Sequence, residues 1–472
     1  QRQMCIRDRD KDSGKITLDS PAVFFAQAGG SATVGFTAQN IKTLSATSKP
    51  TGWDEAVVDL AGAMISVKAP SSEDIESGDA VKTGSFSFTG YTPGGTLVSA
   101  TLFAGIVTTK DISAEVANSY IVTEPETNYL IDATRKGDGS QLATSYVDVV
   151  WQTASGFVQY ADFEDGKASF YIGADSDDAT KIKQGNAVIG AYEADGELIW
   201  SWHIWATDYD PDAEGGTVDF NGYTLMNRNL GALANDNSTT DKILASYGLY
   251  YQWGRKDPFP YPALATDAYT QAPTVYAPGF EYAESNPRTS GTESPYDVMT
   301  LEWATAHPTT YMDGVSFEDW EEWASSLDWL CDHHPNLWGN VTTGKNNISR
   351  TSHKSIYDPC PLGWKVPGAE DFAGIERIGV SAPYYVTIRC NSTQTAKIPL
   401  GGTFYEGRYD RNGSLGRLYT NAPYYLHWDD LTGVFHDVAC TSILFDTSNY
   451  PPFVNTTDFY RYAANPVRCI RE

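Results

Sequence analysis

The sequence predicts a multi-domain, β-rich protein in which two N-terminal β-sandwich modules precede a C-terminal α+β domain. Short, mostly alternating runs of apolar residues recur between turn residues up to about residue 207, which is typical of sandwiches. The acidic, glycine-containing segment 208–218 interrupts them, and the chain beyond it is punctuated by Gly, Pro and aromatic residues and contains one strong helix pattern. At 472 residues the chain is also too long for a single core.

The composition excludes some classes of partner and favours others. The formal net charge is −27, whereas nucleic acid and anionic membranes bind basic patches, so neither is expected as a partner. No apolar run approaches the roughly 20 residues of a transmembrane helix. The 29 Tyr and 13 Trp residues offer large faces with polar groups, which suit recognition surfaces, although β-rich folds also favour aromatic residues.

Cysteine usage indicates the compartment. Residues 1–9 resemble the translated end of a transposon adapter used in DNA library preparation, and we expect that they do not belong to the natural protein. The five remaining cysteines are Cys331, Cys360, Cys390, Cys440 and Cys469. None forms a C-x-x-C pair, which disfavours zinc and thioredoxin-type chemistry. Scattered thiols in an acidic, Tyr-rich chain favour an oxidising, extracytoplasmic setting.

Residues 10–107 are predicted to form the first sandwich, with Trp53 in its core. The expected strands are 16–18, 32–36, 63–67, 84–88 and 97–102. Turn residues, such as the glycines at 29–30, separate them. The pattern resembles the bacterial immunoglobulin-like modules found in surface proteins of Bacteroidetes.

A linker is expected at 108–118, followed by a second sandwich module at 119–207. Its expected strands are 119–122, 129–131, 147–151, 168–172, 187–192 and 198–205. The tight turn Asp195-Gly196 predicts a hairpin between the last two strands. His203 lies in a Trp-rich strand and is interpreted as a packed or surface histidine.

The acidic segment 208–218 is interpreted as a second linker. Its alternating acids are similar to a calcium loop, but Ala213 stands where an EF-hand needs Gly and Pro211 stiffens the chain. A calcium site here stays the minor alternative, and no cofactor is expected.

One helix is predicted within the C-terminal domain, 219–472. Ser316 can cap its start with Asp319 as a partner three residues on, and acidic residues in the first turn suit the helix dipole. An apolar stripe predicts core packing and consists of Trp320, Trp323, Leu327 and Leu330.

Four motifs occur in order in this domain, at 226–232, 248–258, 358–367 and 467–469. Together they resemble the Fibrobacter succinogenes major paralogous domain family of Bacteroidetes surface proteins. The resemblance implies a compact domain similar to the C-type lectin-like fold, and secretion or lipid-anchored display, sometimes in adhesins or pilus tips. No catalytic residues are established for that family, so it implies none here.

The same resemblance favours a disulfide between Cys360 and Cys469, closing a loop of about 110 residues that contributes up to roughly 4–5 kcal/mol of stability. Two buried thiols are the alternative. A second bond between Cys390 and Cys440 is possible, which would leave Cys331 unpaired; the sequence does not assign the connectivity.

The remaining motifs give no reaction. The segment 339–346 matches most of a phosphate-binding loop, but Asn346 replaces the required hydroxyl and no strand precedes it. His333 and His334 are adjacent and lack the spacing of a metal-binding helix pair. There is no G-x-S-x-G turn, and the carboxylates are too numerous to single out an acid–base pair.

Candidate ligand-binding residues lie in an aromatic and polar field near the C-terminus. Tyr, Trp, Asn and Asp combine stacking faces with donors and acceptors, which suits carbohydrate or protein ligands. The candidates are Tyr409, Asn412, Tyr419, Asn421, Tyr425, Trp428, Asp429, Tyr450, Asn455 and Tyr460. The alternative is that several belong to the core, and we expect the field to divide evenly between surface and core.

These observations lead to one functional hypothesis and two alternatives. The leading hypothesis is a non-enzymatic adhesin or binding protein, outer-membrane surface-anchored or secreted, whose lectin-like head binds glycan or a host or bacterial surface protein. The alternatives are a structural pilus or fimbrial tip subunit and a surface glycan-active hydrolase.

Overall fold

The computed structural model confirms a β-rich protein with several sheets and three short helices in the described part of the chain. It describes residues 13–220, 222–260, 269–270, 300–312, 328–330, 334, 336–339, 353–372, 376–381, 385–405, 408–410, 413–429, 434–446 and 455–472. The predicted helix from Ser316, the sequence of residues 1–9, and Cys331 lie outside these ranges. Leu330, from the predicted stripe, is buried in non-helical chain.

The strands in the first half of the chain are β1 (Lys15–Leu18), β2 (Ala22–Phe25), β3 (Ser31–Gln39), β4 (Thr43–Ser48), β5 (Val57–Asp59), β6 (Met64–Lys68), β7 (Thr83–Tyr91), β8 (Leu97–Ile106), β9 (Thr108–Asp111), β10 (Ser119–Val122), β11 (Thr127–Asp132), β12 (Tyr146–Gln152), β13 (Val158–Glu164), β14 (Lys167–Ile172), β15 (Gly185–Tyr192), β16 (Leu198–Ala206), β17 (Thr217–Phe220) and β18 (Tyr223–Met226). The later strands are β19 (Tyr250–Gln252), β20 (Tyr269–Thr270), β21 (Trp364–Lys365), β22 (Glu376–Ser381), β23 (Tyr385–Arg389), β24 (Thr395–Pro399), β25 (Thr403–Tyr405), β26 (Arg408–Asp410), β27 (Leu415–Asp429), β28 (Val434–Asp446), β29 (Asn455–Tyr460), β30 (Ala464–Pro466) and β31 (Ile470–Arg471). The helices are α1 (Ser72–Glu76), α2 (Thr240–Ser246) and α3 (Leu301–Ala306), and a 3-10 turn spans Ala369–Phe372.

The chain divides into two compact units. The first contains the described residues up to Asp111 together with Glu126–Leu130 and Ser169–Ile172, and the second contains Ile112–Pro125, Ile131–Ala168 and the chain from Gly173 onward. Within the first unit, strands in the orders β1-β3-β6-β5 and β2-β8-β7-β4 form two sheets, and buried side chains from both sheets share one hydrophobic cluster. This arrangement is a β-sandwich.

Trp53 occupies the centre of that sandwich, as predicted. Its side chain is 1% exposed, and its ring centroid lies 5.8 Å from those of Phe25 and Phe86. The indole Nε1 donates a hydrogen bond to the carbonyl oxygen of Val81 at 2.7 Å, so its polar group is satisfied although it is buried.

The segment predicted as a linker at 108–118 begins with a strand. β9 pairs in parallel with β11, with Thr108 opposite Thr127 and Asp111 opposite Leu130. The sequence of β9, Thr-Thr-Lys-Asp, contains no apolar residue, and all four of its residues are exposed. A search for alternating apolar residues therefore could not detect this strand.

In the second unit, β15 and β16 form the predicted antiparallel hairpin. Gly196 adopts a φ of +96° in its turn, which a residue with a Cβ rarely adopts. The sheet order is β10-β16-β15-β12, and every β16 residue except Ile199 is buried. Both faces of β16 are therefore covered.

The acidic segment 208–218 does not separate two compact units. Trp151, Val188 and Trp205, from the predicted second module, share one buried cluster with residues of the predicted C-terminal domain such as Leu249 and Trp253. Both regions lie in the second unit. A doubly covered sheet needs apolar partners on its second face, and the C-terminal chain supplies them.

Candidate functional site

The four motifs of the C-terminal region meet around the end of the chain. In the first motif, the backbone nitrogen of Met226 donates to the carbonyl oxygen of Cys469 at 3.0 Å. In the second, β19 pairs with β30, with Tyr250 opposite Pro466. In the third, β21 pairs with β31, with Trp364 opposite Arg471. The last residues of the chain therefore hold together segments that are far apart in sequence.

The disulfide between Cys360 and Cys469 is present, as predicted. The S–S distance is 2.09 Å, the Cα atoms are 6.0 Å apart, and both residues are fully buried. Neither Cys390 nor Cys440 forms a disulfide, so the possible bond between them is absent. Burial raises the pKa of the Cys390 thiol to about 11, which keeps it protonated at neutral pH.

Two charged side chains shape the corner that carries Cys360. The Asp358 carboxylate accepts from the backbone nitrogens of Cys360 at 2.8 Å and Val366 at 2.9 Å. The Lys354 ammonium donates to the carbonyl oxygens of Pro361 at 2.6 Å and Trp364 at 2.8 Å. Burial raises the pKa of Asp358 to about 6, and the nearby Lys354 opposes that rise.

A buried polar cluster joins this corner to β10. Asn118 Nδ2 donates to the carbonyl oxygens of Ile356 at 2.7 Å and Asp358 at 2.9 Å, and Ser119 Oγ donates to that of Pro359 at 2.6 Å. Ser119 Oγ also lies 3.0 Å from His203 Nδ1. The sequence gives no signal for Asn118 or Ser119, because their partners lie about 240 residues away.

Ser119, His203 and Asn186 are arranged like a nucleophile, a base and its orienting group, but they cannot act as one. His203 Nε2 lies 2.9 Å from Asn186 Oδ1, and all three residues are at most 1% exposed. Burial lowers the pKa of His203 to about 3, so the ring stays neutral. The Ser119 hydroxyl already donates to the Pro359 carbonyl oxygen at 2.6 Å, so its proton is not directed at His203. His203 is thus a packed histidine, one of the two expected outcomes.

The second motif supplies buried charges that fix neighbouring elements. Arg255 donates to the carbonyl oxygens of Thr310 at 2.7 Å, His307 at 3.0 Å and Ala304 at 3.2 Å. These carbonyls lie at and beyond the C-terminal end of α3, where a cation interacts favourably with the helix dipole. Arg255 therefore holds α3 in place.

Lys256 and Asp257 hold β16 in place in the way that Arg255 holds α3. Lys256 Nζ lies 2.7 Å from Asp257 Oδ1, and both contact the Ser201 hydroxyl at 2.5 Å. All three side chains are buried. The Lys256 ammonium also lies 4.5 Å from the ring centroid of Trp200, and the Lys136 ammonium lies 4.8 Å from it.

Of the predicted ligand-binding residues, Tyr419 and Asn421 belong to the core. Tyr419 is fully buried, and its hydroxyl lies 2.8 Å from the carbonyl oxygens of Tyr460 and Ala463. Asn421 is 1% exposed and donates to the Val366 carbonyl oxygen at 3.2 Å. Their placement as surface binding residues is corrected, because their polar groups bond within the protein. Tyr460 is 37% exposed and stacks on Tyr462 at 5.1 Å.

The other candidates are placed only by their strands. Trp428 and Asp429 oppose Phe435 and Val434 at the end of the β27–β28 pairing, and Tyr425 lies a few residues earlier. Asn455 opposes Leu444 at the other end of β29, and Tyr409 lies in β26 of another sheet. Asn412 and Tyr450 lie outside the described residues. The candidates therefore do not form a single described cluster.

The structure instead contains a groove beside α3 that the sequence did not predict. Two cavities of about 540 and about 690 Å³ share Glu197, Leu198 and Ala306 in their walls. We call them together the α3 groove. The larger cavity is also lined by Tyr192 and Asp148. The other residues around the smaller cavity are Lys136, Gln141, Leu142, Ala143, Glu193, Ile199, Leu301, Glu302, Thr305 and Tyr357.

The walls of the α3 groove combine acidic, aromatic and apolar groups. Tyr192 stacks on Tyr146, its partner across β12 and β15, with ring centroids 4.9 Å apart and planes at 6°. Leu198 and Ala306 supply apolar surface to both cavities. The residues that line the groove come from four separate parts of the chain, 136–150, 192–199, 301–310 and Tyr357, and only the assembled fold brings them together.

No metal site was found in the part of the chain that the structure describes. Within those residues, no group of three or more His, Cys, Asp or Glu side chains could hold an ion. In the acidic segment 208–218, Asp212 instead pairs with Arg471, and Asp208 lies 3.4 Å from Arg228. His334 is described and exposed, whereas His333 and most of the segment 339–346 lie outside the described ranges.

The described residues form a β-rich protein built from several sheets. None of the helices in this part of the chain has the length and apolar character of a membrane span. No family model and no curated protein matches the chain. Solved structures similar in part include an endo-fucoidan hydrolase of glycoside hydrolase family 107, at 8% identity and a TM-score of 0.16. The match covers 41% of the present chain and 34% of the hydrolase, so the present chain spans about a third of the length of the hydrolase.

Two further likenesses are to a pair of Ig repeats and to an adhesin. The tandem Ig repeats of Dlar match at 11% identity and a TM-score of 0.15, over 41% of this chain and 97% of that one. The Yersinia pseudotuberculosis adhesin InvE matches at 10% identity and a TM-score of 0.14, over 51% of this chain and 74% of the adhesin chain. Scores of this size assign neither a family nor a function.

Proposed function

We propose that this chain is a non-enzymatic, extracytoplasmic binding protein that recognises a glycan or a protein on another surface. In this proposal the first sandwich is an Ig-like stalk module, and the C-terminal region is a lectin-like head of the major paralogous domain type. The protein would be displayed on the outer membrane of a Bacteroidetes cell, as a lipoprotein, or secreted.

The observation that carries the proposal is the α3 groove. It is a concave surface with polar groups of both signs, an aromatic stack and apolar patches, which is the usual composition of a ligand site. The groups that hold it are buried and hydrogen-bonded, including Arg255 behind α3 and Lys256 behind β16. A site on such a support is pre-organised, and this reduces the entropy cost of binding.

The test uses the full chain on glycan and protein arrays, with a variant that fills the groove. Ala306 lines both cavities, so Ala306→Trp should reduce binding to any hit by at least about tenfold, because the new ring occupies the ligand volume. Ala154→Trp, at an exposed position outside the groove, is the matched control and should bind as the wild type does.

Two further outcomes bear on the site and the class. If Tyr425→Ala or Trp428→Ala abolishes binding and Ala306→Trp does not, the site lies near the end of the β27–β28 pairing instead. Turnover of a glycan substrate without stable binding would favour the hydrolase, and recovery of the natural protein only in polymer fractions would favour the pilus subunit.

A further inference from the structure

The carboxylates of the α3 groove have no counter-ions among the described residues. Asp148, Glu193, Glu197 and Glu302 line the two cavities, and none of them forms an ion pair with a described Lys or Arg. Elsewhere in the second unit, acidic residues do pair, as Asp328 does with Arg461 at 2.9 Å. The groove therefore concentrates negative charge on a concave surface, which focuses the field into it.

Among the described residues that line the groove, the one lysine does not neutralise this charge. The Lys136 ammonium lies 4.8 Å from the Trp200 ring centroid, so it is held against an aromatic face rather than against a groove carboxylate. In the described lining, four carboxylates thus face a single lysine, whose ammonium already lies against an aromatic ring.

An aromatic stack borders the same space. Tyr192 lines the larger cavity, and Tyr146, stacked upon it, is 40% exposed. A tyrosine face attracts an ammonium or guanidinium group placed above it. The stack is independent of the carboxylates, since it results from the cross-strand pairing of β12 and β15.

From the cavities, the carboxylates and the aromatic stack, we infer that the α3 groove binds a Lys- or Arg-rich segment of a partner polypeptide. Long basic side chains can lay their methylene stems on Leu198, Ala306 and Pro308 while their charged ends reach the carboxylates. A neutral glycan would contact the same walls but gain nothing from the charge, and an anionic polymer would be repelled. This inference rests on the proposed function and narrows its ligand class.

The experiment measures fluorescence anisotropy of labelled penta-lysine with the full chain. The control peptide is the same penta-lysine with every side-chain amine acetylated, which keeps length and apolar stems but removes the charge. The wild type should bind the charged peptide and not the acetylated one. Raising NaCl from about 50 to about 500 mM should weaken binding several-fold, because exposed charges are screened.

Matched variants separate the groove from the acidity of the whole chain. Glu197→Gln with Glu302→Gln should weaken penta-lysine binding roughly three- to tenfold, as expected for two exposed charge pairs. Glu164→Gln with Glu214→Gln removes the same charge from exposed positions outside the groove and should leave binding unchanged. Equal effects of the two pairs would show non-specific attraction and overturn the inference.

The outcomes also distinguish this inference from the proposed function. If an array ligand binds in a way that Ala306→Trp abolishes but penta-lysine does not bind, the binding function stands and the preference for a basic segment is wrong. If chitosan oligosaccharide binds more tightly than penta-lysine, the ligand is an amino glycan and the inference again fails. If Ala306→Trp changes the binding of neither class, the groove is not the site and both proposals fall.

Discussion

The side-chain amide of Asn118 donates to the carbonyl oxygen of Asp358 at 2.9 Å, across 240 residues of sequence. The same nitrogen donates to Ile356, and the next residue, Ser119, donates to Pro359. These bonds fasten the edge strand β10 to the corner that carries Cys360. A segment predicted to be an independent module is thereby tied to the C-terminal region.

Replacing Asn118 by Ala should destabilise the second unit by about 1–3 kcal/mol, because at least one buried carbonyl loses its donor. Urea denaturation would measure the change in the free energy of unfolding. Gln39→Ala, at an exposed position of the first unit, is the control and should cost less than about 0.5 kcal/mol. A cost for Asn118→Ala as small as that of the control would contradict the role of this bond.

Removing the disulfide should have a larger effect. The double variant Cys360→Ala with Cys469→Ala opens a cross-link between residues 109 positions apart, and the chain-entropy model predicts a loss of about 4–5 kcal/mol. Guanidinium denaturation would measure it, with Cys390→Ala as a control that removes a buried thiol but no cross-link. Alkylation of Cys360 or Cys469 in unreduced, folded protein would show that the bond is absent.

Asp358 should make the folded protein more stable at acidic pH than at neutral pH. Its folded pKa of about 6 lies above the ordinary value of 3.8, so its stabilising contribution is complete below about pH 3.8 and is lost as the pH rises through 6. The shift corresponds to up to about 3 kcal/mol. Between pH 7 and pH 4 the wild type should therefore gain stability relative to Asp358→Asn. If the difference in unfolding free energy between the wild type and Asp358→Asn stays constant across this range, the predicted pH dependence is wrong.

His203 should act in the opposite direction. Its folded pKa of about 3 lies below the ordinary 6.5, so the neutral ring contributes stability above pH 6.5, which is lost as the pH falls toward 3. The full cost would approach roughly 4–5 kcal/mol. Thermal unfolding of the wild type and of His203→Gln should be measured at several pH values. The stability of the wild type relative to His203→Gln should fall as the solution is acidified. NMR titration of the ring above pH 5 would count against this.

Arg255 should control both stability and the groove. Arg255→Met keeps an unbranched apolar side chain but removes every donor to the carbonyls of Ala304, His307 and Thr310. Leaving these carbonyls without their donor should cost about 3 kcal/mol or more and loosen α3. Hydrogen exchange should speed up in residues 301–307 more than in the first unit. Unchanged protection in α3 would mean that its position does not depend on Arg255.

Local patterns determined much of the strand content. Alternating apolar residues located β3, β7, β8 and β16 to within a few residues, and the Asp195-Gly196 turn located the β15–β16 hairpin. Trp53 was predicted in the core, and the pairing of Cys360 with Cys469 followed from the family resemblance. The strands and the hairpin are readable because strand periodicity and turn conformation depend on residues close together in the sequence.

The tertiary structure decided the rest. Tyr419 and Asn421 look like recognition residues, yet distant carbonyls occupy their polar groups. Asn118 and Ser119 carry no pattern, because a hydrogen bond across 240 residues leaves no periodicity in the sequence. The α3 groove gathers four separate segments, and none of its carboxylates stands out among 60 acidic residues. Which faces are covered, and which charges remain unpaired, depends on what packs against each element, and this is fixed only when the whole unit has folded.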